Sequence, residues 1–169
     1  GETMSGIIGV SPDMKSGVVG KYPEGHVLQT KRNHDSSTYT TSATDGVANA
    51  VYPVQLSFTL RSTNPMIIAH YKCTSGTTND IVSWKMDFGY NLDGGGFTMV
   101  SSSVEGLHYE FHAELGDNDI RRGKQMTGSK IITASAGAVI IVKVFLWGGH
   151  AKATSFQYHH DLSVMEIQQ

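Results

Sequence analysis

The sequence is short of most things that staple, anchor or electrify a protein. Its 169 residues hold one cysteine, Cys73, so no intramolecular disulfide forms and the fold does not depend on oxidising surroundings. Charged residues make up 17% of the chain and the net charge is -2, which leaves no basic stripe for nucleic acid. No block of like charge reads as a tail. No apolar run approaches the ~20 residues of a membrane-spanning helix, so membrane insertion is not expected. The opening stretch GETMSGIIGVSPDMKSG has no charged-then-apolar pattern of a secretory signal. Neither a GxSxG elbow nor a GxxxxGK[ST] phosphate loop is present. The acids are scattered, so no catalytic carboxylate pair stands out. The chain reads as non-enzymatic, and no cofactor is expected.

What the chain does have is turn chemistry between short alternating runs. Nineteen glycines, against four prolines, fit a turn-rich β protein of one domain. Residues 1–25 carry Gly clusters, Pro12 and Pro23 with little periodicity, and read as an extended lead-in. From residue 26 strand patterns follow one another: HVLQTKR (26–32), VQLSFTL (54–60), MIIAHYKC (66–73), SWKMDFGYNL (83–92), FTMV after the DGGG turn, LHYEFHAEL (107–115), IITAS, the ribbon at 136–147, SFQYHH (155–160) and LSVMEIQ (162–168). The polar stretches NHDSSTYTTSATDG and GDNDIRRGKQMTGSK read as loops. No run keeps apolar residues at helical spacing for three turns, whereas period-two alternation recurs. The expected fold is all-β, an antiparallel jelly-roll-like β-sandwich over residues 26–169.

AGAVIIVKVFLW (136–147) departs from the simple pattern. Ala138, Ile140, Val142, Val144 and Leu146 make one apolar face, and Val139, Ile141, Phe145 and Trp147 nearly complete a second, broken only by Lys143. A patch of this size left in water invites association. Either a long loop or the N-terminal segment covers it, or a copy of the same chain does, as in closed symmetric oligomers. The reading adopts the second, a homotrimer with Val139, Ile141, Phe145 and Trp147 at the interface. Lys143 is no obstacle, because its stem can lie on apolar surface while the ammonium reaches water or a partner's carboxylate.

Eight histidines raise the question of metal. His108, Glu110 and His112 share one strand face, but His108 and His112 stand about 13 Å apart along a strand, too far for one ion with ligands at about 2 Å. His159 and His160 point to opposite faces. No metal site is expected within one chain. Cys73, in an alternating run with no companion motif, reads as a buried bystander. Recognition then falls to loops held out by a rigid scaffold. Asn33, His34 and Tyr39, Asn91 and Asp93, and Asp117, Asn118, Arg121 and Arg122 supply hydrogen-bonding and stacking groups suited to polar ligands such as sugars.

GHVLQTKR with the Ser/Thr-rich stretch after it, the NLDGGGF turn and the ending LSVMEIQ together resemble the C-terminal domain of bacteriophage tail-fibre proteins. Gly25, Val27, Leu28, Gln29, Met165, Glu166 and Ile167 stand at the matching positions, and the likeness runs over residues 25–168. The resemblance implies a trimeric, non-enzymatic tip on the virion, exposed at the host surface during attachment. Its implied target is a bacterial surface polysaccharide or an outer-membrane protein. Residues 1–25 would join the tip to a longer fibre or particle, and other virion tail proteins would be partners. Two further subunits would cover Val139, Ile141, Phe145 and Trp147. No binding residues carry over from the family, and the H-x-H repeats of metal-organised tips are missing. A virion structural or decoration protein of the same sandwich type, binding capsid or tail, is the alternative. A trimeric extracellular signalling sandwich is the reading that the missing signal pattern counts against.

Overall fold

The computed structural model describes residues 24–41, 50–77, 82–101, 108–112, 120–148 and 154–169. Among them there is no helix, and ten strands follow in order: β1 (Val27–Asp35), β2 (Tyr39–Thr41), β3 (Gln55–Thr59), β4 (Met66–Thr77), β5 (Val82–Leu92), β6 (Thr98–Met99), β7 (His108–His112), β8 (Ile120–Ile131), β9 (Val139–Gly148) and β10 (Thr154–Ile167). Every pairing is antiparallel. One sheet has the order β1-β10-β4-β8 with the short β2 beside β10, and the other β3-β9-β5-β6 with β7 also on β5. The all-β sandwich expected from the alternating runs is present as two antiparallel sheets.

Period two decides what lies between the sheets. From the first sheet Ile67, Ala69, Tyr71 and Cys73 of β4 and Leu162 and Val164 of β10 point inward. From the second, Met86 and Phe88 of β5 and Ile140, Val142, Val144 and Leu146 of β9 meet them, with Phe58, Leu60 and Ile132 filling the rim. Each fully buried side chain of this size contributes about 1.5–3 kcal/mol. The first face of the 136–147 ribbon is thus the floor of the main core.

Three segments differ from the sequence reading. β8 runs through IRRGKQMTGSKI, most of which reads as loop. It is an edge strand zipped to β4 by twelve consecutive pairs from Ile120↔Thr77 to Ile131↔Met66, so ladder bonds rather than apolar alternation build it, and among its residues of described burial, 124–131, only Lys124 and Met126 are buried. β1 continues through Asn33, His34 and Asp35, which pair with Leu162, Asp161 and His160. SFQYHH and LSVMEIQ are one strand, β10, with a register shift against β4 between Gln157 and Asp161, where His159 takes a positive φ of 56°.

The two ends of the sandwich chain meet. The Gly25 amide donates to the Gln168 carbonyl at 2.8 Å, Val27 pairs with Ile167, and Gln29 Nε2 donates to Glu166 Oε2 at 2.5 Å. Glu166 is fully buried; its Oε1 accepts from the Arg61 and Ser62 amides at 2.8 and 2.9 Å. Residues of the early V-L-Q and late M-E-I stretches are therefore one structural joint. The β1–β3 rim is closed by amide side chains: Gln29 Nε2 donates to Thr59 O at 2.7 Å and Asn33 Nδ2 to Gln55 O at 2.9 Å, which satisfies carbonyls of the edge strand β3.

Candidate functional site

The second face of β9 is where the structure answers the question raised by the 136–147 ribbon. Phe145 and Trp147 are 3% and 1% exposed within a single chain, so they need no other subunit to leave water. Two short segments of the chain itself cover them. Residues 50–53 lie along β9 through reciprocal Val51–Leu146 backbone bonds of 2.8 and 3.1 Å, and alternation puts Ala50 and Tyr52 over Phe145. From the other side, Phe97 and Met99 arrive from the 93–99 turn and β6. This corrects the expected interface at Phe145 and Trp147. Val139 remains 41% exposed and Ile141 half-buried.

These pieces build a small aromatic platform. The Phe145 ring lies over Gly89, where an added Cβ would sit 2.4 Å from Phe145 Cε2; only glycine admits the ring. Tyr52 and Phe97 flank it edge-on, with centroid separations of 5.0 and 5.6 Å. Both outer rings stay in contact with water, 44% and 37% exposed. Lys143, paired with Gly89 and with Gln55 across the sheet, folds its ammonium over both, 4.8 Å from the Tyr52 centroid and 4.5 Å from that of Phe97. The cation rests in the negative field of two ring faces. Among the described residues no carboxylate forms an ion pair with it. Gln55 and Ser57, exposed on β3, continue the same face.

Polar groups are also buried beneath this face. Asp87, 1% exposed, accepts from the Phe88 amide at 2.7 Å and the Ser101 amide at 3.4 Å; loss of hydration nevertheless pushes its carboxyl up to about 6, against those two bonds. Asn91 Oδ1 and Trp147 Nε1 are buried without a hydrogen-bond partner among the described residues.

A second polar cluster joins the strands of the first sheet. His160, fully buried at the shift in β10, holds Nε2 3.0 Å from the Ser37 carbonyl and Nδ1 2.6 Å from the Tyr71 hydroxyl. A carbonyl only accepts, so Nε2 carries the hydrogen and Nδ1 accepts from Tyr71. The Tyr39 hydroxyl donates to Asp35 Oδ2 at 3.0 Å, and the bonds from Ser37 hold Asp35 below the usual carboxylate range. Arg32 grips Asp161 through two bonds, Nε to Oδ1 at 2.8 Å and Nη2 to Oδ2, which lowers the Asp161 carboxyl. Lys72 Nζ stands 3.7 Å from the same carboxylate. Burial raises the Tyr71 hydroxyl and pushes the Cys73 thiol up to about 11. Both stay protonated at neutral pH, so the cluster holds strands together and offers no nucleophile.

The loop candidates scatter. Asn33 and His34 lie in β1 and Tyr39 opens β2; the His34 ring sits beside that of His159, tilted by 33° with centroids 6.0 Å apart. His34 pairs with Asp161 and the Tyr39 ring meets that of His160 edge-on, whereas Asn33 turns to the Gln55 carbonyl. Asn91 is a buried strand residue, not a loop donor, because it lies within β5 paired with Ile141. Asp93, at positive φ of 49°, spends Oδ1 on the Val139 amide at 2.8 Å, while Asp117 and Asn118 lie outside the described residues. Arg121 and Arg122 are in β8, opposite Gly76 and Ser75, and not in the expected loop; their side chains lie outside the described residues. The sequence reading missed Tyr52, which sits in a segment without alternation, and took Phe97 only as the start of the FTMV strand; the lone Lys143 on an apolar face was the available signal.

No family model and no curated protein matches the sequence. Among solved structures the chain is similar to a xylan-binding domain from Paenibacillus barcinonensis, at 10% identity and a TM-score of 0.38, covering 88% of this chain and 99% of that one. It is also similar to an exo-β-1,3-galactanase from Phanerochaete chrysosporium solved with galactose, at 11% identity and a TM-score of 0.32 over 86% of this chain and 30% of that one. A third is Eiger TNF from S. frugiperda, at 9% identity and a TM-score of 0.34 over 86% and 90% of the two chains. Likenesses this distant carry no argument about function.

Proposed function

We propose that this chain is a receptor-binding module, the tip domain of a bacteriophage tail fibre, which attaches the virion to a bacterial surface glycan or outer-membrane protein without catalysis. The observation that carries the binding reading is the Lys143 ammonium held between two water-exposed rings, Tyr52 and Phe97, on a rigid sheet. Exposed aromatic rings beside a cation suit ligand recognition. The likeness of both ends of the sandwich to tail-fibre domains adds the virion setting. The architecture we infer is a jelly roll: leaving aside the short β2 and β6, the eight remaining strands run 1-8-3-6 in one sheet and 2-7-4-5 in the other.

The module assembles as a trimer, with the interface moved from the second sheet to the first. Supporting this, an apolar row crosses all four main strands of the first sheet on its outer face, Val27–Ile167–Met66–Ile131, with Met165 and Ile68 beside it. Val27 and Ile131 are 45% and 56% exposed, and the other four are half-buried. Symmetric copies are the common cover for such a face.

Staining of susceptible bacteria by the labelled, assembled protein tests the reading. Wild type is expected to stain, and Tyr52→Ala/Phe97→Ala to stain at least tenfold less at equal concentration. A protein that stains no host yet binds stripped virions would instead be a decoration protein.

A further inference from the structure

Resting on that binding reading, we infer that the platform takes an acidic saccharide, a pyranose carrying a carboxylate, with the acid group on Lys143 and the sugar ring against Tyr52 and Phe97. A neutral sugar is usually held by stacking on an open aromatic face, but here the ammonium already lies over both faces, 4.8 and 4.5 Å from their centroids. What the site offers outward is therefore charge framed by ring edges. Lys143 as a whole is half-buried, and its ammonium forms no ion pair with a carboxylate among the described residues. Asp87, the acid on the same sheet face, aims Oδ1 at the Phe88 and Ser101 amides instead. A half-buried cation in a partly dry site gains more from an incoming anion than an exposed lysine does. The exposed Gln55 and Ser57, on β3 opposite Lys143 and Ile141, add amide and hydroxyl groups to the same face. Carboxylate, apolar ring surface and hydroxyls are the three features of a uronic-type sugar, and each has its counterpart within one sheet face.

Calorimetric titration of the assembled protein with trigalacturonate and with its methyl ester tests the assignment. The acid is expected to bind, at least tenfold more tightly than the ester, and to weaken as salt is raised. Lys143→Met is expected to lose that preference and Lys143→Arg to keep it, with unchanged thermal midpoints showing that both remain folded. Equal binding of acid and ester, unmoved by Lys143→Met, would overturn the acidic-sugar assignment while leaving the receptor-binding reading in place. Failure of both sugars with persistent staining of host cells through Tyr52 and Phe97 would overturn it likewise. Failure of both sugars together with loss of host staining would remove the binding reading itself.

Discussion

Asp87 and Lys143 stand on one sheet face but answer burial in opposite ways. The lysine lays its ammonium over two rings, whereas the carboxylate pays for its burial with a raised affinity for protons. Its carboxyl moves from 3.8 to about 6, so between those values the folded chain holds a proton that the unfolded chain has released. Stability contributed by this group is therefore full below pH 4 and is lost as pH rises through 6. Allowing for solvent screening, the loss is on the order of 2 kcal/mol. Asp87→Asn keeps the acceptor for the Phe88 amide and is expected to abolish that fall, giving a denaturation midpoint higher than wild type at pH 8 and equal to it near pH 4. Glu166 shows the other outcome of burial. Its oxygens accept from Gln29, Arg61 and Ser62, so Glu166→Leu strands buried backbone donors. Urea denaturation is expected to report a loss of about 3 kcal/mol, with Glu166→Gln costing less.

At the scale of the element, alternation was a good guide wherever a strand had one wet and one dry face. SWKMDFGYNL and VQLSFTL appear where their pattern puts them, and Met86, Phe88, Val54, Phe58 and Leu60 from their apolar halves are in the core. The pattern said little about β8, whose residues are mostly polar and whose position is set by its partner β4, a non-local fact. It also misled at 139–147, because a ribbon apolar on both faces says that something covers it without saying what. The cover came from residues 50–53, which carry no strand signal, and from 97–99 of the FTMV run, and only the fold brings either to Phe145. Gly89 is the hinge of this packing. Gly89→Ala is expected to drive Phe145 off its seat, lowering stability by about 1–3 kcal/mol as overpacking does, and to raise the accessibility of Trp147, seen as a red-shifted fluorescence maximum. Ligand binding at Lys143 is expected to fall with it.

For the molecule as a whole, the two sheets divide the labour proposed above. The second sheet hides Phe145 and Trp147 by itself and exposes a charged aromatic platform; the first sheet leaves an apolar row across its full width. A single charge set in that row is expected to separate the copies without unfolding them. Sedimentation of wild type is expected to give three times the chain mass of 18.3 kDa, and Ile68→Glu to give one, with an unchanged far-ultraviolet spectrum. Wild type sedimenting as a single chain would remove the trimer. The apolar row of the first sheet was not legible in the sequence, since Met66, Ile68, Met165 and Ile167 alternate with core residues in runs that look like ordinary buried strands.

The junction of Gly25, Val27 and Gln29 with Glu166, Ile167 and Gln168 has a mechanical corollary. A tether pulling on the chain ahead of Gly25 draws β1 lengthwise against β10, so the ladder from Val27 to Asp35 bears the tension as a lap joint in shear. Its rungs must give way together instead of peeling one at a time. A grip of that kind holds hardest against tugging along the axis of attachment.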